Sequence, residues 1–299
     1  MSQKKFKFAD RLIERAVAGR EKELIIIYRD ALKEIRGHLA LAVEKYGSSF
    51  AEMNKYNRLV KLENQIAKEI GVLSRKAVTL TRGAVSQAYR TSYYTTGWVF
   101  ESELSTRLGF ATLPKSAIES AIYSPFDPLK WSERLRENSR LLNRQVREEI
   151  VRGLIRGEGY RDIAKSIRGP MEKSAYRSER IIRTETHRVQ VQGRLDAFGH
   201  AENMGIEFDR RWVSALDGRT RDSHRDMDGQ VAVDGIFTFP SGDTTTGPGL
   251  SGIPEEDINC RCAVIAEIAE QTERRAKEND KGVIIPNMTY REWENLKVS

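Results

Sequence analysis

Residues 212–224 read Trp-Val-Ser-Ala-Leu-Asp-Gly-Arg-Thr-Arg-Asp-Ser-His, and residues 259–262 read Asn-Cys-Arg-Cys. These two segments decide how the last third of the chain is interpreted. Cys260 and Cys262 are the two cysteines of the 299-residue sequence, and His224 ends the first segment. A Cys-x-Cys pair with a histidine from a separate local element has the composition of a soft-metal site.

The spacing of the two thiols is compatible with a single bound ion. On an extended chain, residues two apart point to the same side, with Cα atoms about 6.5 to 7 Å apart. A slight turn lets both thiolates reach one Zn²⁺ at about 2.3 Å. His224 is the candidate third ligand, and Asp257, His187 or water is the candidate fourth. The alternative is that both cysteines are small buried apolar residues and that His224 caps a helix or binds a carbonyl group.

Further candidate site residues lie on a helix predicted over 174–203. Arg183 and His187 are four residues apart and share a face, whereas Glu185 points elsewhere. If this helix packs across the C-terminal segment, His187 can approach the cysteines and Glu185 can pair with Arg261. The alternative is a solvated helix face with ordinary ion pairs.

Charge is distributed unevenly along the chain. Residues 1–200 contain 38 Lys and Arg against 24 Asp and Glu, whereas residues 201–299 contain 12 against 19. The basic part favours nucleic acid or an acidic protein surface as a partner; the alternative is a set of long, solvated, arginine-rich helices.

No apolar run approaches the roughly 18 residues of a membrane-spanning helix. The N-terminus lacks a signal peptide's apolar segment, so we expect synthesis in a cytoplasm.

Apolar residues at three- and four-residue spacing predict helices through most of the first 205 positions. The predicted helices cover residues 6–45, 50 into the seventies, 72–108, 131–154, 160–167 and 174–203. After position 205 the pattern predicts strands at 206–216 and 262–268, turn dipeptides between them, and a short helix with Asp217 as its N-cap.

The expected fold is mainly α, with a long helical N-terminal region followed by a small α+β C-terminal module. The sequence predicts four parts. They are a helical N-terminal arm (1–125), a helical lead-in (126–205), the α+β module (206–270) and a C-terminal tail (271–299).

The acidic residues around His224 also allow an enzymatic interpretation. Asp217, Asp222, Asp226 and Asp228 invite a carboxylate-and-histidine hydrolase or nuclease site. However, Asp217 is explained as a helix cap and Asp228 as a turn residue. The sequence contains no Ser-His-Asp order, P-loop or His-Glu-x-x-His pattern. We therefore expect that the protein is not an enzyme and that none of these residues is catalytic.

Taken in order, these motifs resemble those of the phage Mu protein F-like family of minor head, or head morphogenesis, proteins. The resemblance extends from about residue 131 to residue 268, and residues 1–125 are only loosely similar to the helical N-terminal part of tailed-phage minor capsid proteins. The segment 286–293 is similar to a C-terminal tail of such proteins. The motif residues are Arg183, Glu185, Trp212, Asp217, Thr220, Asn259 and Arg261.

The sequence departs from the family pattern at positions where the resemblance implies metal ligands. Many members carry Cys-x-x-Cys after the Asp-x-Arg-Thr segment and His-Pro before Asn-Cys-Arg-Cys. This chain has Arg221 and His224 at the first pair, then Asp257 and Ile258 at the second. His224 can still ligate, Arg221 cannot, and Asp257 is a poor partner for two thiolates. Either three ligands are joined by a recruited one, or an Arg221–Asp257 ion pair replaces the metal.

The resemblance implies a minor structural protein of a tailed-phage head. Such a protein is expected to enter the prohead at low copy, associate with the portal and affect DNA packaging or delivery. The implied partners are the portal protein, capsid or scaffold proteins and double-stranded DNA, with no membrane contact before ejection and with Zn²⁺ as the cofactor. The implied location is the head interior near the portal, after assembly in the bacterial host cytoplasm. The alternatives are a metal-dependent hydrolase or nuclease, and a sequence-independent DNA-binding protein.

Overall fold

The computed structural model describes residues 2–110, 113–123, 130–268 and 288–298. In this part of the chain the fold is mainly α with a few short strands after residue 205, which confirms the predicted class. The helices are α1 (Ser2–Tyr46), α2 (Phe50–Asn54), α3 (Arg58–Leu104), α4 (Lys115–Tyr123), α5 (Trp131–Ile155), α6 (Tyr160–Ser166), α7 (Arg168–Asn203), α8 (Asp222–Asp226), α9 (Pro254–Asp257) and α10 (Tyr290–Val298). The strands are β1 (Phe208–Val213), β2 (Phe237–Thr238), β3 (Thr244–Thr245) and β4 (Ala263–Ile268). None of the described helices combines the length and the apolar character that crossing a bilayer requires.

The chain forms two compact units. The first unit comprises Met1–Val17, Ala84–Pro128 and Arg183–Ser299, and the second comprises Ala18–Gly83 and Leu129–Ile182. The unit boundaries lie inside helices α1, α3 and α7 or next to α5, so helical periodicity does not reveal them. The sequence-based division into arm, lead-in, module and tail stays a prediction.

The second unit is built from helices whose apolar stripes are buried. The buried residues that recur at this helical spacing are Leu24, Tyr28, Ile35 and Leu39 of α1, Leu59, Leu62, Ile66 and Ile70 of α3, and Leu135, Leu142, Val146 and Ile150 of α5. Several polar groups inside this core are hydrogen-bonded to one another. The side-chain amide of Asn138 donates to the Ser174 carbonyl (2.8 Å) and to Ser178 Oγ (2.9 Å), which also contacts the Tyr28 hydroxyl (2.8 Å). Such pairing offsets the cost of burying polar atoms.

Helix α3 differs from the prediction of two helices that meet near residue 71. It runs unbroken because its apolar stripe continues through Ile70, Leu73 and Ala77, all buried. The break lies earlier, at Tyr56 and Asn57, whose φ angles are 52° and 58°. A left-handed backbone cannot continue a right-handed helix, so these residues separate α2 from α3.

Helix α7 begins earlier than predicted, at Arg168. The sequence predicts a short helix that ends at residue 167 and a long helix that starts near residue 174. Instead, Pro170 lies in the first turn of α7. At that position a proline costs little, because the first N–H groups of a helix have no partner within it.

An antiparallel sheet of β1 and β4 organises the first unit. Phe208 pairs with Ile268 at one end, and Val213 pairs with Ala263 at the other. The predicted strands at 206–216 and 262–268 are therefore present, with shorter bounds. The end of β1 and the start of β4 consequently lie side by side.

Both outer edges of this sheet are covered. On the β1 side, the Trp212 amide donates to the Gln230 carbonyl at 2.9 Å. On the β4 side, Arg194 of α7 donates to the Val264 carbonyl, also at 2.9 Å. Covered edges have few free backbone groups with which another strand can pair.

Helices α3 and α7 approach closely in the first unit at Gly193. A Cβ atom at this position would lie 2.5 Å from the Tyr89 carbonyl oxygen. Ordinary carbon–oxygen contacts are longer, so a larger residue forces the two backbones apart. A second glycine of the same helix, Gly199, has no atom within 4 Å of the corresponding position.

These two glycines predict opposite effects of the same substitution. Gly193→Ala should lower the free energy of unfolding by about 1–3 kcal/mol, because an overpacked contact strains the structure. Gly199→Ala should raise it by up to about 1 kcal/mol, because alanine loses less backbone entropy in a helix. Guanidinium unfolding followed by circular dichroism measures both changes. Equal changes in the free energy of unfolding for the two substitutions would contradict the close approach of Gly193 to the Tyr89 carbonyl.

Candidate metal centre

The structure brings His224, Cys260 and Cys262 together in the first unit. His224 lies on α8, which follows β1, and the cysteines lie between α9 and β4. His224 Nδ1 is 3.3 Å from Cys262 Sγ and 3.6 Å from Cys260 Sγ. The three donor atoms lie within 4.8 Å of one another, and all three residues are buried.

This donor set fits a metal ion in chemistry and in size. Two thiolates and one imidazole are ligands that zinc and other soft or borderline ions prefer. In a tetrahedral zinc site, bonds of about 2.3 Å to sulfur and 2.0–2.1 Å to nitrogen put neighbouring N and S donors about 3.6 Å apart. The observed separations are close to that value. The cluster can therefore hold a metal ion with little side-chain movement.

A backbone turn at Asn259 directly precedes the Cys-x-Cys pair. Asn259 has a φ angle of 57°, in the left-handed region that asparagine adopts more readily than most residues. Its amide N–H donates to Thr184 Oγ1 of α7 at 3.3 Å. The chain thus changes direction just before the cysteines, and the contact with Thr184 fixes this change relative to α7.

The two thiols differ in acidity because they are hydrogen-bonded to each other. The bond from Cys260 lowers the pKa of Cys262, and His224 lowers that pKa further. The same bond, together with burial, raises the pKa of Cys260 well above its usual value. Cys262 is therefore the more readily ionised thiol, and a divalent ion that binds both sulfurs must displace the proton of Cys260.

A thiolate beside an imidazole also occurs in enzymes that use a nucleophilic cysteine. In those enzymes the substrate must reach the sulfur. Cys260 and Cys262 are each only 3% exposed, so neither sulfur is open to a substrate. The arrangement suits a bound ion better than nucleophilic catalysis.

His187, the other histidine considered as a ligand, is not in the cluster. Its Nε2 atom lies 2.8 Å from the Cys262 carbonyl oxygen, where it donates a hydrogen bond. The residue is partly exposed, but its ring nitrogens are shielded, and this burial lowers its pKa. A neutral His187 therefore holds the backbone of the cysteine segment instead of contributing a donor atom to the cluster.

The other motif residues of α7 are buried or partly buried. Glu185 is fully buried and accepts a hydrogen bond from Arg188 at 2.9 Å. Arg188 also donates to the carbonyls of Ala121 and Ile122 at the end of α4, while Arg183 is partly buried. Glu185 therefore has Arg188 as a partner where the sequence suggested Arg261, and this helix face is not solvated.

Asp217 and Arg261 join the two motif segments. The Arg261 guanidinium binds both Asp217 carboxylate oxygens, with Nη2 2.5 Å from Oδ1. This contact lowers the pKa of Asp217. The Asp-x-Arg-Thr turn is thereby tied to the residue between the two cysteines.

Asp217 does not cap the short helix, contrary to the sequence-based prediction. Helix α8 begins at Asp222, with Arg221 at its N-cap position. Asp217 instead accepts hydrogen bonds from the Arg219 amide at 2.9 Å and from the Thr220 hydroxyl at 3.4 Å. These local bonds form an Asx-type turn before the helix, and this turn explains why Asp217 and Thr220 occur together.

Arg221 and Asp257, at the positions where the family pattern implies ligands, each have another role. Arg221 donates to the Ile258 carbonyl at 2.5 Å. The Asp257 carboxylate accepts hydrogen bonds from Ser251 and from the Gly252 amide, all at 2.8–3.1 Å. Within the described residues the two side chains do not pair with each other. Among the described residues, His224, Cys260 and Cys262 therefore supply three side-chain donors. Arg221 and Asp257 do not form the ion pair that was the alternative to a metal.

Trp212 packs against the side of the cluster. Its ring meets the His224 ring edge-on, with centroids 5.7 Å apart. Its indole N–H donates to Ser214 Oγ at 3.1 Å, and the Ser214 hydroxyl in turn donates to the His224 carbonyl. This motif residue therefore fixes both the ring and the backbone of the histidine.

Sequence reasoning missed three residues that support the centre. Thr184 binds the Asn259 amide, and Glu256 and Ser223 lie beside His224. Thr184 could have been noticed inside the Arg-Thr-Glu motif. Glu256 lies four positions before Cys260, but the only signal there is an acidic stretch, which is common at helix starts.

Comparison with known proteins identifies relatives of this chain. Residues 144–265 match the family model described as Phage Mu protein F like protein. The chain is 30% identical over 297 residues to minor head protein GP7 of Bacillus phage SPP1, which covers 96% of each chain. It is 27% identical over 275 residues to the NAD(+)--arginine ADP-ribosyltransferase EFV of Enterococcus faecalis, which covers 91% of this chain and 56% of that protein. No solved structure matches the chain.

The family match and the relationship to the SPP1 protein support the same assignment. The matched residues 144–265 include all three donors of the cluster and the motif residues around them. The similarity to the SPP1 minor head protein extends over nearly the whole of both chains. The chain therefore belongs to the phage Mu protein F-like family of minor head proteins.

Proposed function

We propose that this protein enters the prohead of a tailed phage at low copy, associates with the portal and affects packaging or delivery of the DNA. The observation that carries the proposal is the 30% identity to a minor head protein over 96% of both chains. In this proposal the protein lies in the head interior near the portal, alongside capsid or scaffold proteins. Its role is binding and not turnover, which agrees with the burial of both cysteines.

Portal association predicts stable capture of one protein by the other. When the tagged chain is coexpressed with the portal protein of the same phage, it should retain the portal protein from a nuclease-treated lysate. Capture should survive high salt, because a docked interface is screened less than contacts between dispersed surface charges. Affinity purification at graded salt measures this. An absence of capture, or its complete loss as salt rises, would argue against a specific portal interface.

Double-stranded DNA is the second proposed partner, and the distribution of charge supports it. The second unit contains 27 Lys and Arg against 16 Asp and Glu, whereas the first contains 23 against 27. The two compact units thus differ in charge as well, although their bounds are not those of the asymmetry along the sequence. Clustered positive charge attracts the phosphate backbone independently of base sequence.

Helix α5 offers the clearest row of cations in the second unit. Arg136, Arg140, Arg144 and Arg147 are exposed and lie three or four residues apart, so they share one face over about 16 Å. Three of them pair with glutamates, but those arginine side chains are 63% to 75% exposed. Exposed ion pairs contribute about 0–1 kcal/mol, so these arginines can exchange a glutamate for a phosphate at small cost.

The α5 row predicts a specific change in salt dependence. Replacing Arg140, Arg144 and Arg147 together with alanine should weaken binding to double-stranded DNA. It should also reduce the slope of log affinity against log salt by about 0.9 per lost phosphate contact, or up to about 2.7. Fluorescence anisotropy at graded NaCl measures the slope. The matched control replaces three exposed arginines of the first unit, Arg219, Arg225 and Arg291; equal slopes in the two triple variants would show that α5 is not the DNA-binding face.

We also propose that the ion held by His224, Cys260 and Cys262 is Zn²⁺. The two thiolates, the imidazole and the near-tetrahedral separations support this choice. Three side chains supply donors, so the fourth ligand is recruited. Bound zinc would link α8 to the cysteine segment, and its binding free energy would add to the stability of the first unit.

The zinc proposal predicts both a stoichiometry and the residues that it depends on. Protein purified under reducing conditions should contain close to one zinc per chain, and Cys260→Ser should lose it because a ligand is removed. His187→Gln should keep it, because His187 contacts a carbonyl and not the cluster. Elemental analysis of the three proteins provides the measurement. A folded wild-type protein without metal would refute the proposal, and zinc loss in His187→Gln would show that the centre depends on the contact of His187 with the Cys262 carbonyl.

A further inference from the structure

Glu256 lies on the side of the His224 ring opposite the cysteines. Its Oε2 atom is 2.8 Å from His224 Nε2 and accepts a hydrogen bond from Ser223 Oγ at 2.9 Å. The His224 side chain is 2% exposed and that of Glu256 is 21% exposed. One nitrogen of the buried imidazole therefore faces the two sulfurs, and the other faces a carboxylate.

We infer that Glu256 is a positioning residue that holds His224 in the form able to bind a metal through Nδ1. The inference rests on the proposed zinc site. A neutral imidazole carries its proton on one nitrogen only, and a metal needs the lone pair of the other. An ionised carboxylate only accepts hydrogen bonds, so Glu256 favours the tautomer with the proton on Nε2. The lone pair of Nδ1 is then directed toward Cys260 and Cys262.

Glu256 is the candidate acceptor for a proton on Nε2 of His224. No hydrogen bond with good angles reaches Nε2 from the described residues, so the 2.8 Å contact to Glu256 is short but not well aligned. The terminal torsion of a glutamate is broad, and a modest rotation aligns it. A buried N–H without an acceptor is unfavourable, and the carboxylate, once rotated in this way, is the group that satisfies it.

The carboxylate is itself held in place. Ser223, the residue before His224, donates to the same Oε2 atom. Glu256 lies on α9, four residues before Cys260, so the support and a ligand belong to one short stretch. Partners of this kind typically strengthen metal binding through the ligand that they orient.

Neighbouring Glu255 provides a matched control, because it lies on the same short helix and is exposed. Metal-free full-length wild type, Glu256→Gln, Glu256→Ala and Glu255→Gln are titrated with Zn²⁺ against a chromophoric chelator. We expect the Kd for Zn²⁺ to rise about 10- to 100-fold in both Glu256 variants and to change less than about twofold in Glu255→Gln. Chemical denaturation of the metal-free proteins checks that all four fold alike.

The tautomer of His224 distinguishes positioning from a general structural role. In a ¹H–¹⁵N correlation spectrum of the zinc-loaded wild type, His224 should carry its proton on Nε2 and the metal on Nδ1. In metal-free Glu256→Gln, the population of the Nε2–H form should fall. A loss of stability alone would not shift this equilibrium. The wild-type spectrum also gives an answer if the Glu256 variants fail to fold.

The outcomes separate this inference from the zinc proposal. If wild type binds no Zn²⁺, the zinc proposal fails and the inference fails with it. If wild type binds Zn²⁺ and the Glu256 variants match it in affinity and tautomer, only the role of Glu256 is overturned. Coordination of zinc through Nε2 of His224 in the wild type would overturn it as well.

Discussion

The antiparallel pairing of β1 with β4 is the constraint on which the candidate metal centre depends. His224 follows the end of β1, and the cysteines immediately precede β4. Because Val213 pairs with Ala263, these two chain ends lie side by side. Parallel strands would put them at opposite ends of the sheet. The register matters equally, since a shift by one residue would turn Trp212 out of the core and away from His224.

Helix α7 supports this arrangement through contacts with the backbone. Thr184 accepts a hydrogen bond from the Asn259 amide, His187 donates to the Cys262 carbonyl, and Arg194 donates to the Val264 carbonyl. Each of these hydrogen bonds involves a backbone group that lies at the outer edge of β4 or in the turn before it. The helix therefore serves two purposes, because it covers an open strand edge and fixes the path of the cysteine segment. The Arg-Thr-Glu motif is explained in part by this packing.

Much of the candidate centre could be predicted from local sequence. Two cysteines two residues apart and a histidine in another local element predict a shared site, and the structure brings the donor atoms of His224, Cys260 and Cys262 within 4.8 Å of one another. The role of His187 could not be derived in the same way. Its helical position predicts that it approaches the cysteines. Whether its ring contacts a sulfur atom or a carbonyl oxygen depends on where the helix lies to within a few ångströms. The role of Asp217 could not be derived from local sequence either. Its local hydrogen bonds form a turn, and its main partner, Arg261, lies 44 residues further along the chain.

The sequence by itself determined the fold class, the apolar stripes of the helices, the two longer strands and the grouping of His224 with the two cysteines as candidates for one site. These features depend on periodicity and on residue chemistry, which are local properties. The tertiary structure alone decided that the unit boundaries lie within helices, that Gly193 contacts the Tyr89 carbonyl and that Glu256 faces His224. Each of these depends on which distant segments touch. Close packing sets such contacts to within an ångström, and a pattern of neighbours along the chain does not contain that information.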